Sequence, residues 1–121
     1  MCIRDSVELR YDVVPGITAV QALTARHRIP LNDIGEPVLI TTGRKLRAQG
    51  LHGSAVVMLD GECAFLGCPA QTRIWWGAYL GTSDEILIAG TVGEVGQRIA
   101  AIRAEARARH GWIMDTYLLR A

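Results

Sequence analysis

The chain has 121 residues, half of them apolar, and a formal net charge of +1. That length suits one compact domain burying roughly two-thirds of its unfolded surface, and the near-neutral charge excludes the broad basic footprint of a nucleic-acid-binding protein. The longest apolar runs, Ala55 to Leu59 and Ile86 to Ala89, are strand-sized and far below the roughly 20 residues that span a bilayer.

No signal-peptide pattern opens the chain, so no membrane association and a cytoplasmic location are expected. Met1 to Ser6 do not fit the pattern that follows and read as an artefact or scar. Val7 to Val14 alternate apolar and polar side chains, the period of a strand. Val13-Val14-Pro15-Gly16-Ile17-Thr18-Ala19 then reads as a strand, a Pro-Gly turn and a helix start. Thr18 with Gln21 fits the S/T-x-x-E/Q capping box, in which hydroxyl and amide satisfy opposite backbone donors. The helix so opened is predicted over about 19–28, and Pro30 forbids a long continuation. Such a junction turns helix N–H groups and a hydroxyl toward whatever lies beyond the strand, a place suited to a polar ligand.

Pro37 to Thr42 predicts a strand ending at Gly43, and the polar residues Arg44 to Gly53 predict a loop or a single helical turn. Ser54 to Leu59 reads as a buried strand. Asp60-Gly61 is a turn signal before Glu62-Cys63-Ala64-Phe65, which predicts a hairpin. Thr72 to Leu80 predicts an extended segment with Trp75 and Trp76 on opposite faces, at least one in the core and the other free to line a cleft. Glu85 to Ala89 follows as a strand. Gly90-x-x-Gly93-x-x-Gly96 departs from G-x-G-x-x-G and has no P-loop lysine, so it reads as an ordinary strand-to-helix turn.

The longest helix opens on a second capping box, Thr91 with Glu94. Val92, Val95, Ile99, Ile102 and Ala106 form its apolar stripe, Glu94–Arg98 and Glu105–Arg109 are i,i+4 pairs, and His110-Gly111 ends it. Arg98, Arg103, Arg107 and Arg109 read as a solvated face. Trp112 to Leu119 closes the chain as a strand. Five or six strands with two helices predict an α/β domain with a mixed sheet. Cys2, Cys63 and Cys68 lack the spacing of a disulfide framework, and His27, His52 and His110 are scattered, so no metal site is expected.

Val14-Pro15-Gly16-Ile17-Thr18-Ala19, the short Ala-containing helix and Ile29-Pro30-Leu31 resemble the entry to the second domain of the tetrapyrrole methylases. Two later stretches carry the resemblance on: Ile74-Trp75-Trp76-Gly77-Ala78-Tyr79-Leu80-Gly81-Thr82 running into Asp84 to Gly90, and Arg107 to Leu119. It covers residues 7 to 120. It implies a mixed, mostly antiparallel sheet with flanking helices, packed against a first domain with a parallel sheet, the cofactor lying between them. On this reading residues 7–14 are the last strand of that first domain, residues 15–121 are the second, and the missing N-terminal half leaves the chain inactive alone. The implied cofactor is S-adenosyl-L-methionine, the substrate a polycarboxylate precorrin on the way to cobalamin, methylated with loss of acetate by a homodimer. The competing readings are another precorrin methyltransferase, or a non-enzymatic ligand-binding or dimerisation module.

Methyl transfer from a sulfonium needs alignment and exclusion of water more than a triad, so the grips on the cofactor should be rich in backbone. The resemblance puts Thr18 and Ala19 against the cofactor. It puts the strand-end contact at Asp60 before Gly61, with Leu59 beside it, although the methionine usual in the family is absent there. A later glycine that approaches the adenosine matches Gly81, and less well Gly77. Asp60-Gly61 reads equally as a plain turn. Arg26, Arg28, Arg44, Lys45 and Arg47 flank the expected cleft, and guanidinium forks suit carboxylates. Loss of acetate requires a general base or a group that orients water, for which Asp60, Tyr79 and His27 are the candidates. His27 lies one turn beyond Leu23 and reads first as a core histidine.

Overall fold

The computed structural model describes residues 9–121. The elements run α1 (Ala19–His27), β1 (Val38–Thr42), α2 (Gly43–Gln49), β2 (Ser54–Met58), a 3-10 turn (Ala64–Gly67), β3 (Arg73–Ala78), β4 (Ile86–Thr91), α3 (Val92–His110) and β5 (Asp115–Arg120). The strands make one sheet in the order β1-β2-β5-β3-β4. β1 and β2 pair in parallel, while β2–β5, β5–β3 and β3–β4 are antiparallel. The expected α/β class with a mixed, mostly antiparallel sheet is therefore the one observed, with three helices among the described residues rather than two.

Both capping boxes form. Thr18 Oγ1 accepts from the Gln21 N–H while Gln21 Oε1 accepts from the Thr18 N–H, and Thr91 with Glu94 repeats the arrangement. Arg28 (φ 58°) and Gly111 (φ 78°) close α1 and α3 in the left-handed conformation that releases the chain from a helix. The α3 stripe is buried at Val92, Val95, Ile99 and Ala106, with Ile102 half-buried. Neither Glu94–Arg98 nor Glu105–Arg109 closes as an ion pair; Glu94 Oε1 turns back onto Thr91, and Glu105 and Arg109 stay in solvent. The Gly93 and Gly96 spacing serves packing, since a Cβ at those sites would lie 3.0 Å from Ala70 and 3.1 Å from Leu66. The Val92 and Gly93 N–H groups already donate to the Thr72 and Ala70 carbonyls, so they are not offered to a phosphate.

Some expectations fail for physical reasons. Residues 44–53 hold α2, capped by Thr42 Oγ1 accepting from the Lys45 N–H and anchored by buried Leu46. The hairpin at Asp60-Gly61 does not form. The Asp60 carboxylate accepts the N–H groups of Glu62 and Ala64 at 3.0 and 2.8 Å, which winds the chain into the 3-10 turn, and both edges of β2 are already taken by β1 and β5. Of the strand expected over 7–14, residues 7 and 8 lie outside the described residues, as does 1–6; residues 9–14 carry no ladder and are exposed. A strand needs a neighbour, and none among the described residues pairs there.

The pleat divides the core in two. On one face Val57, Trp76, Ile88, Tyr117 and Leu119 pack against Leu46, Phe65, Val95 and Ile99 from α2, the 3-10 turn and α3. On the other, Val56, Trp75 and Leu118 pack beneath Val20 and Leu23 of α1. Each fully buried aliphatic contributes about 1.5–3 kcal/mol by removal from water. Neither tryptophan is left free: Trp76 is buried on the large face and Trp75 on the small one.

Candidate functional site

The topology decides which expected site residues share a neighbourhood. β5 runs antiparallel to β2 and to β3, so the C-terminal ends of β1, β2 and β3 lie at one end of the sheet, beside the start of β4. Leu59, Asp60 and Gly61 leave β2 there, and Tyr79 and Gly81 leave β3 at the same end. Both strands finish on a non-glycine residue in the left-handed region, Leu59 at φ 52° and Tyr79 at φ 52°. Such strained residues cluster at ligand sites, where a strand must stop abruptly and present its backbone. Leu59 is 86% exposed. Neither Leu59 nor Gly61 takes part in a loop hydrogen bond among the described residues, which leaves backbone donors and acceptors open at the strand end. That donor set fits a ligand gripped by backbone.

The Asp60 side chain faces elsewhere. Its carboxylate turns into the large face, accepting from the Tyr117 hydroxyl as well as from Glu62 and Ala64. Burial and the adjacent carboxylate hold the Tyr117 phenol far above its ordinary range, so it remains a donor. Gly43 is bare for the same reason, because a Cβ there would meet Asp60 Cγ at 2.3 Å. Asp60 therefore fixes the shape of the 60–64 loop while its backbone stays at the strand end.

Gly81 (φ 80°) has open space where a Cβ would stand, and its N–H donates to Glu85 Oε1 at 3.0 Å. Glu85 also takes a two-pronged bond from Arg26 of α1, at 2.9 Å from Nε and 2.7 Å from Nη2. The guanidinium fork and the Gly81 amide hold the Glu85 carboxyl below its usual range. One carboxylate thus ties the loop bearing Gly81 to the helix that Thr18 and Ala19 open. Sequence reasoning missed Glu85, although Arg26 on the exposed side of α1 was a signal that some carboxylate would answer it. Thr18 and Ala19 are exposed at the start of α1 on the small face. Gly77 lies beneath α1, where a Cβ would meet Leu80 at 2.8 Å and Leu23 at 3.0 Å, so it serves close packing.

The three candidate bases do not converge. The Tyr79 hydroxyl donates to the Trp112 carbonyl at 2.7 Å under the end of α3. His27 is half-buried, and its Nε2 lies 2.9 Å from the Trp76 carbonyl, so Nε2 carries the proton. Burial pushes the His27 pKa down, partly offset by the Trp76 carbonyl and the Glu85 charge, while Nδ1 has no described partner. The basic residues spread as well. Arg26 is held by Glu85 and Arg47 pairs with Glu62 at 2.7 Å, whereas Arg28, Arg44 and Lys45 are exposed and enter no ion pair among the described residues.

Residues 2–96 match the family described as Tetrapyrrole (Corrin/Porphyrin) Methylases. A curated relative from Sinorhizobium sp, precorrin-6A synthase [deacetylating], is 58% identical over 120 residues, spanning 97% of this chain and 46% of the relative. Among solved structures, a cobalamin synthesis related protein (CobF) from Corynebacterium diphtheriae superposes with a TM-score of 0.87 at 48% identity, covering 97% of this chain and 51% of that one. A cobalt precorrin-4 methyltransferase, CbiF, superposes with a TM-score of 0.51 at 15% identity over 91% of this chain and 51% of that one, a likeness of fold alone. The chain spans about half the length of the relatives it matches.

Proposed function

The chain belongs to the tetrapyrrole methylase family, and from that premise we propose that it is the C-terminal part of a precorrin-6A synthase. In this reading the complete enzyme methylates precorrin-5 at ring carbon 1 with loss of acetate, in cobalamin biosynthesis. Residues 15–121 form its second domain, a preceding domain supplies the other wall of the cleft, and the full-length protein works as a cytoplasmic homodimer. No helix among the described residues is long and apolar enough to cross a membrane. The observation that carries the reading is the close identity to the Sinorhizobium synthase along nearly the whole chain. The sheet end where β2 and β3 stop supports it.

S-adenosyl-L-methionine would bring a methyl group already activated on sulfur, so the protein's share is alignment and a dry cleft. Thr18 and Ala19 at the start of α1, the backbone of Leu59, Asp60 and Gly61, and Gly81 are the residues proposed to hold it. Glu85 and Arg26 position two of these grips, and the Asp60 carboxylate fixes the third by holding its loop. Of the three candidate bases, His27 best fits a proton acceptor, because its tautomer leaves Nδ1 unprotonated. Arg28, Arg44 and Lys45, which enter no ion pair among the described residues, are the groups proposed to meet precorrin carboxylates.

The test is turnover by the full-length enzyme with S-adenosyl-L-methionine and precorrin-5, with methylated product and acetate followed by mass spectrometry. One acetate should leave per methyl transferred. Methyl transfer without acetate would make the protein a different precorrin methyltransferase. Binding without any transfer would make it a non-enzymatic module. The 121-residue chain alone supplies one wall of the cleft and should turn over nothing.

A further inference from the structure

At the far end of the sheet from the cofactor grips, Arg73 of β3 and Arg120 of β5 stand directly opposite one another on the small face. Five residue steps separate Arg73 from Ala78, about 17 Å along the strand. Like charges facing each other across an antiparallel pair are destabilising unless something offsets them. Part of the offset is Trp75, whose ring carries the Arg73 guanidinium at 4.7 Å and the Arg120 guanidinium at 5.0 Å from its centroid. No carboxylate among the described residues pairs with either arginine. Arg120 Nη2 donates to the Pro30 carbonyl at 2.6 Å, but its Nε is buried with no hydrogen-bond partner. A buried guanidinium N–H left unpaired is costly, and it points to a group that belongs beside it.

Beside Arg73 and Trp75 lies an open cavity of about 420 Å³, lined by Arg73, Trp75, Ala89, Gly90, Thr91 and Glu94, with Arg120 across β3 from it. Ala89 and Gly90 leave its β4 side without bulk. Glu94, the acidic residue there, is committed to the α3 cap, its Oε1 accepting from the Thr91 N–H and hydroxyl. We propose that Arg73 and Arg120, stacked on Trp75, form a seat for an oxyanion, the carboxylate or phosphate group of a small ligand. Two guanidinium forks over one indole, neither paired with a carboxylate among the described residues, keep charged N–H donors side by side, and such forks recognise oxyanions in two-pronged fashion. The seat is separate from the cofactor grips and does not depend on the methyltransferase reading.

The experiment titrates ¹⁵N-labelled full-length protein with inorganic phosphate and, separately, with succinate at fixed ionic strength. The Trp75 indole N–H and Arg120 Nε–H resonances are followed. Both should shift and saturate. Arg73→Gln, an exposed position, should weaken saturation about tenfold, as expected for one lost charge-assisted contact. Arg120→Lys, which keeps the charge and loses the fork, should weaken it as well. Saturation by phosphate alone assigns the seat to phosphate, by succinate alone to carboxylate, and by both to oxyanions generally. An absence of saturable shift with either anion, or an unchanged affinity in Arg73→Gln, overturns the proposal.

Discussion

The two faces of the sheet are built to different ends. The large face is covered by α2, the 3-10 turn and α3, and its core gathers sixteen buried residues among those described; the small face has α1 and the segment after it, with five. On the large face even polar groups are consumed internally, as the Asp60–Tyr117 and Trp76–Asp115–Arg103 bonds show. On the small face, polar groups sit at the surface of a thin apolar layer: Thr18 at the start of α1, His27 against a strand carbonyl, two arginines over Trp75. A well-covered face fixes the sheet, which frees the sparsely covered face to carry exchangeable contacts.

The adjacent tryptophans give the largest expected contrast. Trp76→Ala should lose about 3–5 kcal/mol of stability in a urea melt, from the cavity and from the Asp115 carboxylate left with one partner fewer. Trp75→Ala should lose less, about 2–3 kcal/mol, because the arginine stems over it can settle into the gap. Equal losses would erase the distinction between the faces. Next comes Asp60→Ala, which strands the Tyr117 hydroxyl and the Ala64 N–H and should cost about 1–3 kcal/mol. Adding Tyr117→Phe should cost less than the sum of the two single changes, since the partners are coupled.

Thr18→Val sharpens the comparison from the small face. Loss of the cap should cost about 1 kcal/mol of stability. In the full-length protein, calorimetry with S-adenosylhomocysteine should show binding weakened by about 1–3 kcal/mol, with Thr18→Ser retaining both properties. Lower stability at unchanged affinity would leave Thr18 a cap and nothing more. The smallest effect is a pH slope. His27 is depressed by burial below its ordinary value of 6.5, so the unfolded chain takes up the proton first. Its contribution is complete above that pH and is lost as pH falls through the folded-state value. Melts of the parent and of His27→Gln should diverge on going below that pH, and parallel curves would show that His27 is not held neutral by the fold.

Much of this was legible in the chain. Both capping boxes, the α3 stripe and the Pro-Gly turn depend on neighbours three or four residues apart, and local spacing records such contacts. The resemblance brought Leu59, Asp60, Gly61 and Gly81 forward, and the topology places them at one end of the sheet. What could not be read was long-range. Asp60-Gly61 has the chemistry of a hairpin turn, but a carboxylate with buried donors at Ala64 and Tyr117 overrules it. Glu85 acquires its role only through Arg26, which lies 59 positions away. The Arg73–Arg120 juxtaposition likewise depends on strand register, which periodicity leaves open.

The position of β5 has a consequence for biosynthesis. It follows the other described elements, yet it is the seam between β2 and β3, and without it the sheet is two unconnected ribbons. While the ribosome still holds residues 115–120, the facing edges of both ribbons are bare and able to pair with other nascent chains. Closure of the sheet therefore waits for β5, and loss of those six residues would part it along its middle instead of fraying one edge.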